Sequence, residues 1–449
     1  MKIAFLPIDN RPVCYQMPKM IAQIDNSIEL LMPEIHMLGG LKTYADTEAL
    51  TNWLDENAPK TDAIILSLDT ITWGGLIPSR RSIISLDEIK IKIEKLKKIL
   101  QNTKAKIYAF SSIMRISNNN INEEEKEYWN LYGEKIFKYS YELHKYGSAD
   151  TDIPIEIIED YLATRKRNFE LNKIYLEWQK EGLFDTLIFS KDDCAEFGFN
   201  VIEAKELERL GGYIKTGADE IPLTLLARAL NDTQVTVYPI YSEPEYKNLI
   251  SNYEDVSIEQ SVLGQSELAN CTIADSKERS NIILYVNNFK NHQGELVMKR
   301  PTEEYSKEWN EPRNNYIIAD VRNANGADNK FIDKIFNAGF STNFLGYAGW
   351  NTSANTLGSL ICAMKFTLRA RQNGTLNNNA LKKFIALRLL DDWGYQANVR
   401  QSLKSPDIEA LTNNMRKYEN TIKKVLGTDF SAKYYFPWDR LFEVGIELY

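Results

Sequence analysis

Two aspartates stand side by side at Asp192 and Asp193, directly after the apolar run Thr186 to Ser190. Carboxyl groups crowded around one ligand push their pKa values apart, so that one stays protonated as an acid while its neighbour stays ionised. The same two residues also suit a helix N-cap followed by an acid in the first turn. A second acidic pair, Asp219-Glu220, sits between Gly217-Ala218 and Pro222; it reads either as an acid/base pair or as a capping sequence. In Gly346-Tyr347-Ala348-Gly349-Trp350-Asn351-Thr352, Trp350 offers a flat stacking face and Asn351 both a donor and acceptors. Sugars are bound in this way, although a Trp at a strand end also serves as core. Asp320, Asn323, Asn325 and Asp328, interrupted by Gly326, have the residue types of a Ca²⁺ loop. They lack the EF-hand spacing and its twelfth-position Glu, so a hydroxyl-binding loop is expected, with a plain turn as the alternative.

Further candidates lie nearer the N-terminus. In Asp9-Asn10-Arg11-Pro12, Arg11 can clamp a carboxylate or phosphate with two parallel hydrogen bonds, or it can pair with Asp9. Asp69 ends another apolar run and precedes Trp73-Gly74-Gly75 and Arg80-Arg81, while Arg115 precedes the cluster Asn118 to Asn120. Neither GxxxxGK nor GxGxxG occurs here, so nucleotide binding has no support and no cofactor is expected. The run Arg165-Lys166-Arg167 lies in a helical stretch and reads as a solvated face or as a grip on an anionic group. The cysteines Cys14, Cys194, Cys271 and Cys362 are far apart, and His36, His144 and His292 have no ligand-like spacing. A disulfide framework and a zinc site are therefore not expected, and catalysis would rest on carboxylates.

The elements that must position these residues are short apolar runs with polar ends: Ile3 to Ile8, Ala63 to Leu68, Lys106 to Met114, Thr186 to Ser190, Val235 to Ile240, Ile282 to Val286, Tyr316 to Ala319 and Asn343 to Tyr347, with a weaker run at Ile28 to Met32. Continuous apolar runs of this length read as strands buried on both faces, hence a parallel sheet. Helical stretches lie between them. Asp87 to Leu100 carries apolar residues at Ile89, Ile93, Leu96 and Leu100, a 3.6-residue stripe opened by acids. Longer stretches run from Ile121 to Tyr146 and from Ile155 to Gln179. Strand–helix alternation gives an α/β fold. A (β/α)8-like barrel over residues 1–352 is expected, with doubly wound parallel sheets as the alternative, followed by a helical C-terminal region over 353–449. In both architectures ligands sit at the carboxyl ends of the strands. Ser257 to Ser280 reads as a surface excursion, and no internal repeat stands out.

Composition narrows the function classes. The chain has 449 residues, 54 Lys+Arg against 62 Asp+Glu, a net charge of −8 and 43% hydrophobic residues. That is an ordinary globular composition without the basic excess that a nucleic-acid scaffold needs. No apolar run has the length of a membrane span, and the N-terminal Met1 to Pro12 meets Asp and Arg too early for a signal peptide. The expectation is a cytosolic protein with a small-molecule substrate, no nucleic-acid or membrane partner, and the option of forming a homo-oligomer.

Several segments resemble a bacterial family catalogued as domain of unknown function 4127: Leu6 to Val13, Leu68 to Arg80, Lys191 to Asp193, Gly217 to Glu220, Asn325 to Asp328, Gly346 to Thr352 and Asp391 to Gln396. The resemblance spans most of the chain and implies no particular activity. Asp192-Asp193 is also similar, in mechanism, to the adjacent acid pair of retaining O-GlcNAcase-type hexosaminidases. That similarity implies that Asp192 orients a substrate acetamido group and Asp193 protonates the leaving oxygen, with Trp350 and Asn351 lining the sugar pocket. The expected activity is hydrolysis of a small N-acetylhexosamine-containing glycoside, with Asp9, Arg11, Asp69, Trp73, Arg115, Asp219, Glu220, Asn323, Asn325, Asp328, Trp350 and Asn351 binding substrate. The alternatives are a divalent-metal hydrolase or lyase acting on a phosphorylated or carboxylated small molecule, for which Asp9, Asp69, Asp193, Asp320 and Asp328 would supply oxygen ligands, and a non-catalytic sugar-binding protein.

Overall fold

Each of the strongest apolar runs becomes a strand hydrogen-bonded to parallel neighbours, and most are enclosed on both faces, β7 (Val235–Tyr241) being half-buried over most of its length. The computed structural model describes residues 1–192 and 194–449. Its first half runs β1 (Lys2–Leu6), α1 (Pro12–Ala22), β2 (Glu29–Leu31), α2 (Thr47–Asn57), β3 (Ala63–Ser67), α3 (Leu68–Trp73), α4 (Leu76–Arg81), α5 (Leu86–Gln101), β4 (Lys106–Ile113), α6 (Trp129–Tyr146), α7 (Ile155–Lys180), β5 (Thr186–Lys191), α8 (Phe199–Arg209), β6 (Tyr213–Thr216) and α9 (Ile221–Ala229). Strands β1 to β6 form one sheet in the order β2-β1-β3-β4-β5-β6, every pair parallel.

The second half continues with β7 (Val235–Tyr241), α10 (Ile258–Leu268), β8 (Cys271–Ile273), β9 (Ile282–Asn287), β10 (Gly294–Glu295), β11 (Tyr316–Asp320), β12 (Asn323–Ala324), α11 (Asn329–Ala338), β13 (Phe344–Ala348), α12 (Ser353–Asn373), α13 (Asn378–Arg388), α14 (Ile408–Leu426), β14 (Ala432–Tyr435) and β15 (Gly445–Leu448). Its main sheet is again all parallel, in the order β13-β11-β9-β7-β8. The strands thus divide between two open sheets instead of closing one barrel. The local signal cannot distinguish these outcomes, because a doubly enclosed apolar run looks the same in either. The doubly wound alternative is compatible with the observed orders. Numbered by appearance, both main sheets begin 2-1-3-4-5, an order typical of open α/β sheets. This likeness of the halves is topological and has no counterpart as a sequence repeat.

Contacts divide the chain into two units, Met1–Asn10 with Glu29–Pro222, and Arg11–Ile28 with Leu223–Tyr449. The expected boundary at 352/353 is not a division: α12 packs on β11 and β13 within the second unit. Helix α12 is buried along almost its whole length, as its apolar and small residues require. Strands also continue past Thr352, since β14 and β15 form an antiparallel hairpin. The segment Ser257 to Ser280, expected to be an excursion, folds into α10 and β8. Ser257 and Gln260 form a capping box that satisfies two orphan N–H groups at the helix start. Ser85 and Glu88 do the same for α5, whose stripe Ile89, Ile93, Leu96 and Leu100 is buried as the spacing predicts.

A buried ion group ties Arg11–Ile28 into the second unit. Asp25 is fully enclosed and accepts from the Ser27 amide (2.9 Å), the Thr375 hydroxyl (2.6 Å) and the Arg369 guanidinium. Arg369 also grips Asp232 through Nε (2.9 Å) and Nη2 (2.8 Å). Removing the guanidinium leaves the Asp25 carboxylate buried beside hydroxyls and an amide alone. Arg369→Ala is therefore expected to cost about 3–5 kcal/mol, read from urea unfolding, with proteolysis rising first in 11–28; a loss below about 1 kcal/mol would contradict this role for the group.

Candidate functional site

In the first sheet the strand order reverses between β1 and β3, and a crevice at such a reversal is the usual ligand position in open α/β sheets. Asp9 follows β1. Asp69 lies in the first turn of α3, which starts immediately after β3. The Thr70 hydroxyl lies 2.7 Å from the Ile8 carbonyl oxygen, which fixes the start of α3 to the segment after β1. Arg115 follows β4, and Asp192 follows β5.

Asp69 is buried, and burial pushes its carboxyl up to about 6, against the hydrogen bonds from the Ser112 amide (2.8 Å) and hydroxyl (2.9 Å) and the charge of Arg80. Gly74 (φ +88°) and Gly75 (φ +133°) make a turn only glycine adopts easily, and α4 then carries Arg80 back to the site. Arg80 is 1% exposed. Its Nη1 lies 3.2 Å from Glu125 Oε1 and its Nη2 3.7 Å from Asp192 Oδ2. Arg115 meets the same acids: Nη1 is 3.5 Å from Asp192, Nη2 2.8 Å from Glu124, and Nε 3.2 Å from Glu125. Asp69, Arg80 and Asp192 therefore form one electrostatic group, with Arg80 in the middle.

Three buried polar atoms here have no hydrogen-bond partner among the described residues: Arg80 Nε, Ser117 Oγ and Ser190 Oγ. Ser190 lies on β5 and Ser117 two residues past Arg115. An orphaned buried polar group costs about 1–3 kcal/mol, so three together mark polar valence that the fold itself does not use. Asp192 remains 23% exposed at its side chain and Glu124 25%, so the network opens to solvent on one side.

Glu124 and Glu125 were missed in the sequence because Ile121 to Tyr146 reads as one helix. The helix begins only at Trp129, and the irregular stretch before it turns both acids onto the arginines. Trp73 is buried under the Arg167 guanidinium, 4.4 Å from the ring centroid, so it offers no open face to a ligand. Arg167 itself bonds the Ser79 and Ile84 carbonyls, a structural grip and not a solvated face. Glu220 is fully buried and its Oε2 accepts from the Ala218 amide at 3.1 Å; a Cβ on Gly217 would lie 1.7 Å from its other oxygen. Asp219 beside it is also buried. Asp193 lies outside the described residues.

In the second sheet the corresponding strand ends hold a network that is enclosed except at Glu243, where the half-exposed Lys307 lies 2.9 Å away. Asp320 at the end of β11 accepts from Asn287 Nδ2 (2.9 Å), the Tyr347 hydroxyl (2.9 Å) and the Asp328 amide (2.8 Å). Asp328 caps α11 through the Lys330 amide (3.0 Å) and lies 3.2 Å from Arg322 Nε. Arg322 reaches Glu243 at 3.4 Å. Burial and the charge of Asp328 push the Asp320 carboxyl upward. Asp392 accepts from the Gly349 amide at 2.7 Å and pairs with Arg388; burial pushes its carboxyl upward too.

The remaining candidates belong to this framework. Trp350 is 6% exposed, donates to Ser359 Oγ at 3.1 Å and lies 5.3 Å from the Arg388 guanidinium. It is therefore enclosed, and the expected stacking face is not presented. Asn325 and Asn351 take left-handed conformations (φ +61° and +50°), and the Asn325 amide donates to the Asn351 carbonyl at 2.9 Å. The Asn325 side chain bonds Glu295 at 2.7 Å, and Asn323 joins the short β10–β12 ladder. This is the turn alternative. Arg11 meets Glu443 at 3.0 Å and the Trp438 ring at 5.3 Å, so a carboxylate of the chain already occupies it. Among the described residues no group of three or more His, Cys, Asp or Glu side chains could hold a metal ion. Of the metal-ligand set, Asp9 and Asp69 lie in the first unit and Asp320 and Asp328 in the second.

A family model described as "Protein of unknown function (DUF4127)" matches residues 3–447. The chain belongs to this family. No curated protein and no solved structure matches it. Among the described residues no helix is long and apolar enough to cross a membrane.

The buried acids of the second unit give a pH signature. Glu254 accepts from the Ala354 amide (2.6 Å) and the Ser261 hydroxyl (2.6 Å), and burial pushes its carboxyl up to about 7. A carboxyl with a raised pKa in the fold binds its proton more tightly folded than unfolded. Its contribution is complete below the ordinary value of about 4 and is lost as pH rises through about 7. Thermal unfolding followed from about pH 5 to about pH 8 should show falling stability, with a shallower fall in Glu254→Gln. Identical slopes in both proteins would refute the assignment.

Proposed function

We propose that the chain is a hydrolase of a small N-acetylhexosamine-containing glycoside and that its reacting centre is the strand-end network of the first sheet. The observation that carries this reading is the Asp69–Arg80–Asp192 group. It joins a carboxyl whose pKa is about 6 to a second carboxylate oriented by two guanidinium groups. Two carboxyls in contrasting environments are the usual division of labour between a proton donor and an ionised partner. Asp192, held by Arg80 and Arg115, directs its free lone-pair positions at hydrogen-bond donors, which a sugar supplies as hydroxyl and acetamide groups. Asp69 then gives its proton to the leaving oxygen as the C1–O bond breaks and the acetamido oxygen closes on C1. In the second step it takes a proton from the water that opens this ring. This follows the similarity to O-GlcNAcase-type enzymes in using one orienting carboxylate and one acid, with Asp69 as the acid.

The charge balance favours a neutral substrate over a phosphorylated or carboxylated one. Asp69, Glu124, Glu125 and Asp192 outnumber Arg80 and Arg115 among the described groups, and an added anion would meet like charge. The first network keeps solvent contact at Asp192 and Glu124, which gives a ligand access to its otherwise enclosed groups.

The test is turnover of aryl N-acetylhexosaminides by the full chain. Asp69→Asn should lose about 100-fold or more in kcat/KM on substrates with poor leaving groups and much less on activated ones. Wild-type activity should fall as pH rises past about 6, and the variant should lose that limb. Equal losses on both substrate types, or no turnover of any member of the class, would overturn the reading.

A further inference from the structure

Helix α6 carries a second feature that the reacting centre leaves unexplained. A cleft of about 420 Å³ lies along it, lined by Asn118, Glu134, Phe137, Lys138, Tyr141, Glu142 and Tyr146. Clefts that hold small molecules span about 300–1,000 Å³. Phe137 and Tyr141, four residues apart and so on one face of the helix, stack with centroids 6.2 Å apart and planes 26° apart. Tyr146 at the end of the helix is 66% exposed. A surface helix ordinarily turns charge outward; here Phe137 packs inward against the core, Lys145 Nζ lies 5.3 Å from the Tyr141 ring and 5.5 Å from the Tyr146 ring, and the exposed parts of these two tyrosines give the cleft an apolar wall.

Both strand-end loops of the reacting centre run onto this helix. The loop after Arg115 reaches the cleft at Asn118. Asn120 Oδ1 accepts from the Glu134 amide at 3.0 Å. Gly133 allows the close approach, because a Cβ there would lie 2.2 Å from the Asn119 carbonyl oxygen. The loop after Asp192 is held by the Gly198 amide donating to His144 Nδ1 (2.9 Å) and the Phe199 amide donating to Ser140 Oγ (2.8 Å). The Phe197 ring meets Tyr141 edge-on at 5.3 Å. The cleft is thus built into the same scaffold that aims Arg115 and Asp192.

We propose that this cleft is a second sugar subsite, which binds a neutral pyranose ring of the substrate beyond the one that reacts. The inference rests on the glycoside reading and adds that the substrate is longer than one sugar. A pyranose has an apolar C–H face for the rings and hydroxyls for Asn118, Glu134 and Glu142. Glu134 and Glu142 stand against Lys138, 3.7 Å from Glu142, and Lys145, whose Nζ lies 5.3 Å from the Tyr141 ring. The charges balance, so the cleft offers no excess of cations to a phosphate, nucleotide or other anionic ligand.

Binding of N,N′,N″-triacetylchitotriose and of cellotriose to the full chain is measured by calorimetry, in the wild type and in the Asp69→Asn chain, so that turnover is not needed. Tyr141→Ala and Tyr146→Ala should each weaken the trisaccharide that binds by about tenfold, the loss of one stacking contact, while Tyr141→Phe, which keeps the ring, stays within about twofold. With a turned-over substrate, Tyr141→Ala should lose about tenfold more on the trisaccharide than on a single-sugar aryl glycoside. Circular dichroism confirms that each variant is folded. Failure of both trisaccharides to bind, or equal affinity in wild type and Tyr146→Ala, would overturn the subsite. Turnover of aryl glycosides without dependence on Asp69 would instead overturn the catalytic reading and leave a Tyr141-dependent affinity standing.

Discussion

A carboxyl group carried into the interior at the end of a parallel strand has three ways to survive there: a guanidinium partner, hydrogen bonds to its oxygens, or a retained proton. Asp69, Asp192 and Asp320 each use at least one. Asp192 has two arginines. Asp69 has the amide and hydroxyl of Ser112 and still rises to about 6. Asp320 has three donors and rises as well. Burial of charge is expensive, and replacing such groups by apolar ones is often harmless to stability. Strand ends in open α/β folds are where side chains meet ligands, which is the basis for placing the proposed reacting centre there.

The two sheets use the same opening strand order for different ends. In the second, Asn287, Asp320 and Arg322 interlock across β9, β11 and the turn after it, and the Asn325–Asn351 contact closes the loops above. Asn287, Asp320 and Arg322 are thereby enclosed, and the network reaches solvent through Lys290 and Lys307 at Glu243. In the first, the terminal nitrogens of both arginines meet carboxylates, yet Arg80 Nε and two serine hydroxyls are left over, and Asp192 is part-exposed. A network with spare valence and an open side is suited to exchange partners.

Much of this was legible in residue order. The apolar runs at Ile3, Ala63, Lys106, Thr186, Val235, Ile282, Tyr316 and Asn343 all became strands, because a segment buried on both faces must be apolar throughout. The polar ends Asp69, Arg115 and Asp192 fell where the runs placed them. Sheet membership was not legible, since hydrogen bonding between runs far apart in sequence leaves no local trace. The edge strand β6, Tyr213–Thr216, half-buried along its length, lacked the apolar continuity that marked the others. Glu124 and Glu125 were hidden by a charge-rich stretch that passes for a helix surface. Trp350 misled in the opposite direction: a Trp at a strand end looks the same in sequence whether its face is open or covered by Arg388.

The account depends on Asp69 being a proton-exchanging group near neutrality, and its carboxyl can be observed directly. With ¹³C-labelled aspartate in the full chain, and Asp69→Asn to assign the resonance, the Asp69 side-chain carbon should titrate with a midpoint of about 6. A midpoint near the ordinary aspartate value of about 4 would contradict the central claim.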